Sequence, residues 1–201
     1  ELKGGTLSVT YSDLEPDFDI SFYLPLGLGL GAEATSVLPE GTNADYHPVN
    51  VLDEDRSTSW VEGVDGPGIG ERITVRFSPI GSETPGCYGI RRIGIINGYA
   101  ASDSLYRANN RIKRVRITYW AYAEYRDHRL DLYESAEAFE FDLEDTPAMQ
   151  YLELPRTVPA CRLTFEIVGV YPGSRWDDTC IAEIAVESAE LTQADLDAAE
   201  W

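Results

Sequence analysis

Seven short segments in which apolar and polar residues alternate, separated by turns that carry glycine or proline, constrain this chain more than any other feature. In ERITVRF, Ile73, Val75 and Phe77 share one face and Arg72, Thr74 and Arg76 the other, which is the pattern of a strand with one side in a core and one in water. GIRRIGIING, RIKRVRITYW, EAFEFDL, QYLEL, CRLTFEIVGVY and CIAEIAVES complete the set, with Val115, Ile117 and Tyr119 inward in RIKRVRITYW and Phe139 and Phe141 inward in EAFEFDL. Helical signals are confined to the C-terminus, where Thr192-x-x-Asp195 precedes LDAAEW and predicts a short acidic helix or tail. The fold class expected is therefore all-β, an antiparallel β-sandwich or jelly roll whose loops collect at its ends.

At 201 residues and 43% hydrophobic content, the chain can bury one sizeable core. Upstream of the seven segments, GTLSVTY and ISFYL read as an extra strand pair, so residues 1–33 are expected to form an N-terminal β extension. LGLGLGAEA follows, its alternate glycines weakening a strand while permitting close backbone packing. It is no phosphate loop, since no amphipathic helix and no Lys-Ser/Thr pair follows it. The organisation expected is this extension, a main domain over 34–188, and a tail over 189–201.

A formal charge of −19 opposes nucleic acid and anionic membrane surfaces as partners. No apolar run reaches the ~18 residues of a membrane span, so no membrane insertion is expected. Residue 1 is Glu, which reads as a mature or trimmed product, with extracellular or cell-envelope residence after signal-peptide removal. The sequence leaves the oligomeric state open. Cys161 and Cys180 share parity with apolar neighbours and read as core residues, and a simple hairpin would hold them on the order of 20 Å apart, too far to bridge. Cys87 in TPGCYG reads as the more accessible one. With no CxxC, and with His47 and His128 isolated, nothing points to zinc.

The segment from Val49 to Glu71 concentrates functional chemistry. Asp53, Asp55, Ser57 and Thr58 gather hard oxygen donors of the kind Ca²⁺ takes, although the same residue types also build ordinary turns. Sugars are held by aromatic faces together with amides, carboxylates and guanidinium groups. Such groups recur on four stretches: Trp60 and Glu62; Asn97 and Tyr99; Tyr106, Asn109, Asn110 and Arg111; and Trp176, Asp177 and Asp178. The competing readings are that the aromatics anchor a core and that the asparagines cap turns. Arg107, Arg111, Lys113, Arg114 and Arg116 form a basic stripe, read either as cross-strand pairs to acidic residues or as a subsite for an anionic sugar.

The run NVLDEDRSTSW resembles the loop signature of discoidin, or F5/8 type C, galactose-binding-like domains. Trp60-Val-Glu-Gly, Gly66-Pro-Gly-Ile-Gly-Glu71, Ile96-Asn-Gly-Tyr99, Tyr106 to Arg111, Val170-Tyr-Pro-Gly-Ser174 and Asp178-Thr-Cys-Ile-Ala-Glu183 narrow the resemblance to the NADase-type glycan-binding domain. It covers roughly residues 34–188, and departs at the N-terminal thirty or so residues and at the insertion AYAEYRDHRLDLYESAEA. The resemblance implies a discoidin-like jelly roll acting as a non-catalytic glycan-binding module. It also implies a structural Ca²⁺ held by Asp55, Thr58 and Glu183, with backbone carbonyls of residues such as Leu52 and Ala182 and with Asp53 as a spare carboxylate. The glycan-binding set expected is Trp60, Glu62, Asn97, Tyr99, Tyr106, Asn109, Asn110, Arg111 and Asp178. The alternatives are a discoidin-like adhesion module for protein or lipid, and a glycoside or NAD hydrolase in which Glu62 and Asp65 would act as acid and base. The hydrolase has little support, because no nucleophile elbow, zinc motif or catalytic histidine arrangement is present.

Overall fold

The computed structural model describes residues 28–39, 45–79, 87–126 and 129–198. In chain order these are β1 (Leu28–Ala34), a 3-10 helix (Pro48–Leu52), β2 (Trp60–Val61), β3 (Arg72–Pro79), β4 (Tyr88–Asn97), α1 (Asp103–Ala108) and β5 (Asn110–Arg126). β6 (Arg129–Glu134), β7 (Phe139–Asp142), β8 (Met149–Ala160), β9 (Arg162–Tyr171), β10 (Thr179–Ala189) and α2 (Gln193–Asp197) follow. The all-β class expected from the alternating segments, and the jelly roll that the resemblance implies, are the fold observed.

Two layers pack face to face because each strand keeps its apolar side in the same core. One layer runs β1-β3-β9-β5, with β7 and β6 on the far edge of β5, and the other is β10-β4-β8. Ile73, Val75, Phe77, Val115, Ile117, Leu163 and Phe165 from the first layer meet Ile93, Ile95, Leu154, Val158, Ile184 and Val186 from the second. A two-residue parallel pairing, Asn110 with Thr179 and Arg111 with Cys180, joins the layers at one end. The β3-to-β4 and β8-to-β9 connections both cross from one layer to the other, and the second does so through a single residue, Cys161.

Several sequence expectations change. GTLSVTY and ISFYL lie outside the described residues. The glycine-alternating run is an edge strand of the main sheet, since β1 pairs with β3 along its whole length, from Leu28 opposite Pro79 to Ala34 opposite Ile73. Much of the presumed insertion after Trp120 continues β5 and returns as β6. β9 and β10 do not form a hairpin but lie in opposite layers, so the hairpin separation assumed for Cys161 and Cys180 does not apply, although both are buried as expected. α2 carries the capping box the sequence signals: the Thr192 hydroxyl accepts from the Asp195 amide, and the Asp195 carboxylate accepts from the Thr192 amide.

Two cations of the basic stripe, Arg114 and Arg116, are held in cross-strand pairs. Arg114 meets Glu140 and Asp142, and Arg116 bridges Glu140 and Glu166 at 2.8 and 2.9 Å. Partly exposed pairs of this kind contribute about 0–1 kcal/mol each, and they occupy these two of the five cations.

Candidate functional site

The loops gather at the end of the sandwich where β5 and β10 begin, and a dense set of buried polar side chains holds them there. Asn97 donates to the Ile112 carbonyl at 2.6 Å and accepts from its amide at 2.9 Å, fixing the end of β4 against β5. Asn110 accepts from the Gly173 amide at 2.6 Å and donates to the Asp177 carbonyl, tying down the 172–178 loop. Asn109 donates to the Leu105 carbonyl and closes α1. The amides expected to read a sugar are therefore turn and loop anchors, each buried and each bonded to backbone.

Arg111 is committed in the same way. Its guanidinium donates to both Asp145 oxygens at 3.0 and 2.7 Å and to the Asn109 and Pro172 carbonyls at 3.0 and 2.9 Å. Tyr106 lies beneath it and donates to Asp145 at 3.0 Å, and burial, then the Asp145 contact, pushes its phenol well above the usual range. The Arg111 guanidinium holds Asp145 below its ordinary value. Gly98 is required here: with φ at 72°, an added Cβ would lie 2.5 Å from Arg111 Cγ and 2.8 Å from the Tyr106 ring.

Trp60 and Glu62 are also removed from the accessible set. Trp60 is 0% exposed, belongs to the core, and donates through Nε1 to the Ser36 carbonyl at 3.0 Å. Glu62 is buried, and burial raises its pKa; its carboxylate accepts from the Val64 and Thr179 amides at 2.9 and 3.1 Å. Gly68, at φ 65°, packs directly on this side chain, so Glu62 is the post on which the 63–70 loop turns. A carboxylate held by two amides serves as an anchor rather than as the acid of an acid–base pair with Asp65. Glu62→Ala strands the buried Thr179 amide, and chemical denaturation is expected to show a loss of about 1–3 kcal/mol.

The accessible groups at this end are others. Tyr99 is half-buried and meets the Tyr46 ring edge-on at 6.4 Å. Asp178 is half-buried, its pKa raised by burial and by Asp177. Trp176 is exposed, with the Arg175 guanidinium stacked 4.4 Å from its ring centroid. The Ser174 and Trp176 amides donate to the Arg107 and Ala108 carbonyls, so Trp176 is fixed against the end of α1. On the same helix, Asp103, Tyr106 and Arg107 line an open cavity of about 110 Å³ together with Arg111, Asp145 and Pro147. Arg175 escaped the sequence reading because nothing local distinguishes it from other surface cations, whereas Arg107 entered it only as a member of the basic stripe.

The acidic loop lies beside these elements. Asp55 does not face the last strand: it accepts from the Ser57 amide and hydroxyl at 2.8 and 2.6 Å, which lowers its pKa. Thr58 donates to Asp53 Oδ2 at 2.7 Å. Asp53, not Asp55, confronts Glu183. A bulge in β10, where Ile181 pairs with Asn97 and Glu183 with the adjacent Ile96, aims Glu183 into the loop. Glu183 is 6% exposed, and its Oε1 is buried without a hydrogen-bond partner. Burial, then the facing Asp53, pushes its pKa up to about 8. Leu52 ends the 3-10 helix next to this pair. Among the described residues, no three His, Cys, Asp or Glu side chains cluster in a metal-binding arrangement. Any cation here would draw its remaining donors from hydroxyl and backbone oxygens.

A two-layer jelly roll with its loops knitted together at one end is the architecture of an F5/8 type C domain. Its sequence matches the NAD glycohydrolase translocation F5/8 type C domain over residues 27–187, and the chain belongs to that family. No curated protein sequence matches it. Among solved structures, CBM32-3 from a family 31 glycoside hydrolase of Clostridium perfringens is similar at 15% identity and a TM-score of 0.54, covering 84% of this chain and 93% of that one. A putative chitobiase fragment from Bacteroides thetaiotaomicron is similar at 14% identity and a TM-score of 0.55, covering 82% and 91%. CpGH89CBM32-5 from C. perfringens, solved with GalNAc-β-1,3-galactose, is similar at 16% identity and a TM-score of 0.51, covering 79% and 94%. At these identities the likeness is one of fold.

Proposed function

We propose that this chain is a non-catalytic carbohydrate-binding module of an extracellular or cell-surface protein, taking sugar where the 172–178 loop meets α1. The observation that carries the reading is Trp176: an exposed indole flanked by Arg175, on a loop whose backbone is bonded to the end of α1, the helix that also lines the cavity with Asp103 and Arg107. An aromatic face for C–H stacking with charged donors and acceptors at its margin is the chemistry sugar recognition uses. Tyr99 and Asp178 are the residues of the original candidate set that remain accessible. The buried members, Trp60, Glu62, Asn97, Tyr106, Asn109, Asn110 and Arg111, shape the site from beneath.

A glycan array followed by calorimetry tests this. Binding is expected to be micromolar or weaker, as befits a shallow site, and Trp176→Ala should weaken it about tenfold or more with the unfolding midpoint unchanged. Silence across mammalian and bacterial glycans, with capture of a lipid vesicle or a protein through the same loop instead, would defeat the reading. Hydrolysis of a glycoside or of NAD by the purified chain would defeat its non-catalytic part.

The loop facing β10 carries a second proposal, a structural Ca²⁺. Glu183, with an unpartnered buried oxygen, and the opposing Asp53 form a pair that a hard divalent cation would neutralise, with Thr58 and backbone carbonyls such as that of Leu52 as further oxygen donors. Bound there, the ion would supply charge compensation and fix the loop to the last strand.

A further inference from the structure

We infer that Cys87 and Cys161 are a disulfide site that locks the two corners where the chain crosses between the layers. The register places them together: Tyr88 and Ala160 are antiparallel partners, and the next residues outward along the two chains are Cys87 and Cys161. Tyr88 and Ala160, as antiparallel partners, have Cα atoms about 4.5–5.5 Å apart, so the two cysteines leave the ladder from adjacent points, and a disulfide between them needs Cα atoms about 4.4–6.8 Å apart. The neighbouring Cys87 thiol, then burial, raises the Cys161 pKa, and the Cys161 thiol donates to the Trp120 carbonyl at 3.2 Å. Both are thiols here, Cys87 half-buried and Cys161 buried. Cys161 is firmly seated, its amide donating to the Trp120 carbonyl at 2.8 Å and its carbonyl accepting from the Phe77 amide at 3.0 Å. Cys180 is buried beside Glu62 and Asp178, at the loop end of the sandwich.

The oxidant is a small-molecule disulfide such as oxidised glutathione. The Cys87 thiolate, the more accessible of the two, attacks one glutathione sulfur, breaks its S–S bond and expels a glutathione thiolate, leaving a mixed disulfide. The Cys161 thiolate then attacks the Cys87 sulfur and expels the second glutathione. Two protein thiols are oxidised, one glutathione disulfide is reduced to two thiols, and the two protons leave with them. The bond closes a chain segment running from position 87 to 161, long enough for the restriction of the unfolded chain to be substantial.

The test incubates the full chain with glutathione disulfide, alkylates it under denaturing conditions, and maps peptides without reduction. The expected result is a linked Cys87–Cys161 pair, an alkylated Cys180, and a melting temperature raised by about 5–15 °C and restored by dithiothreitol. Cys87→Ser should abolish both the link and the shift, whereas Cys180→Ser should keep them. Three alkylated cysteines after incubation, a persistent glutathione adduct on Cys87 with Cys161 still alkylated, or a link to Cys180 would each overturn the assignment. The peptide map of the parent chain decides even if a variant fails to fold.

Discussion

Trp60→Ala is expected to destabilise the domain by about 3–5 kcal/mol, enough to leave a marginal protein largely unfolded at physiological temperature. The indole is fully buried among core residues of both layers, and it begins the short β2 pairing in which Trp60 faces Ile181. Truncation opens a large cavity and removes the bond from Nε1 to the Ser36 carbonyl, leaving that acceptor unpaired. Denaturant titration reads the loss directly. The contrast with Trp176→Ala is the informative part: one tryptophan should move stability, the other affinity. A Trp60→Ala protein as stable as the parent yet unable to bind sugar would reverse the assignment of the two residues.

Addition of Ca²⁺ is expected to stabilise the chain by about 4 kcal/mol at a concentration a thousandfold above its dissociation constant, and excess chelator should remove the effect. The prediction rests on the conflict between two carboxylates. Asp53 faces a buried Glu183 whose Oε1 has no partner, so without a cation Glu183 must hold a proton or bear a buried charge. Glu183→Gln relieves the conflict by replacing a charge with an amide that can donate to Asp53. In chelator the variant should therefore melt at or above the parent, and in Ca²⁺ it should melt below it. An unchanged parent midpoint on adding Ca²⁺, with Glu183→Gln behaving identically in both conditions, would mean that hydrogen bonds alone close the loop.

Both predictions show how far local pattern reaches. Period-two alternation in ERITVRF and CIAEIAVES was sufficient to place Ile73, Val75, Ile184 and Val186 in the core, because the burial of a strand face depends only on which residues share it. The order of loop motifs was sufficient for the family. The same reasoning put Trp60 and Asn97 at a binding surface, because residue type reveals what a side chain can bond to and not whether the backbone has already claimed it. Asn97 is bound on both sides by Ile112, fifteen positions away, a partner that no local window contains.

What the sequence determined by itself is thus the all-β class, the apolar face of most strands, the capped C-terminal helix and the presence of an acidic loop. Tertiary structure decided the rest. It turned a glycine-rich run into an edge strand, because β3 offered an unpaired edge for β1 to occupy. It set Asp53 rather than Asp55 opposite Glu183, because a one-residue bulge in β10 aims Glu183 at that side of the loop while Ser57 holds Asp55. It moved the accessible aromatic from Trp60 to Trp176 and set Cys87 beside Cys161. In each case the deciding contact joins residues distant in the chain, and its geometry is fixed by the packing of two layers.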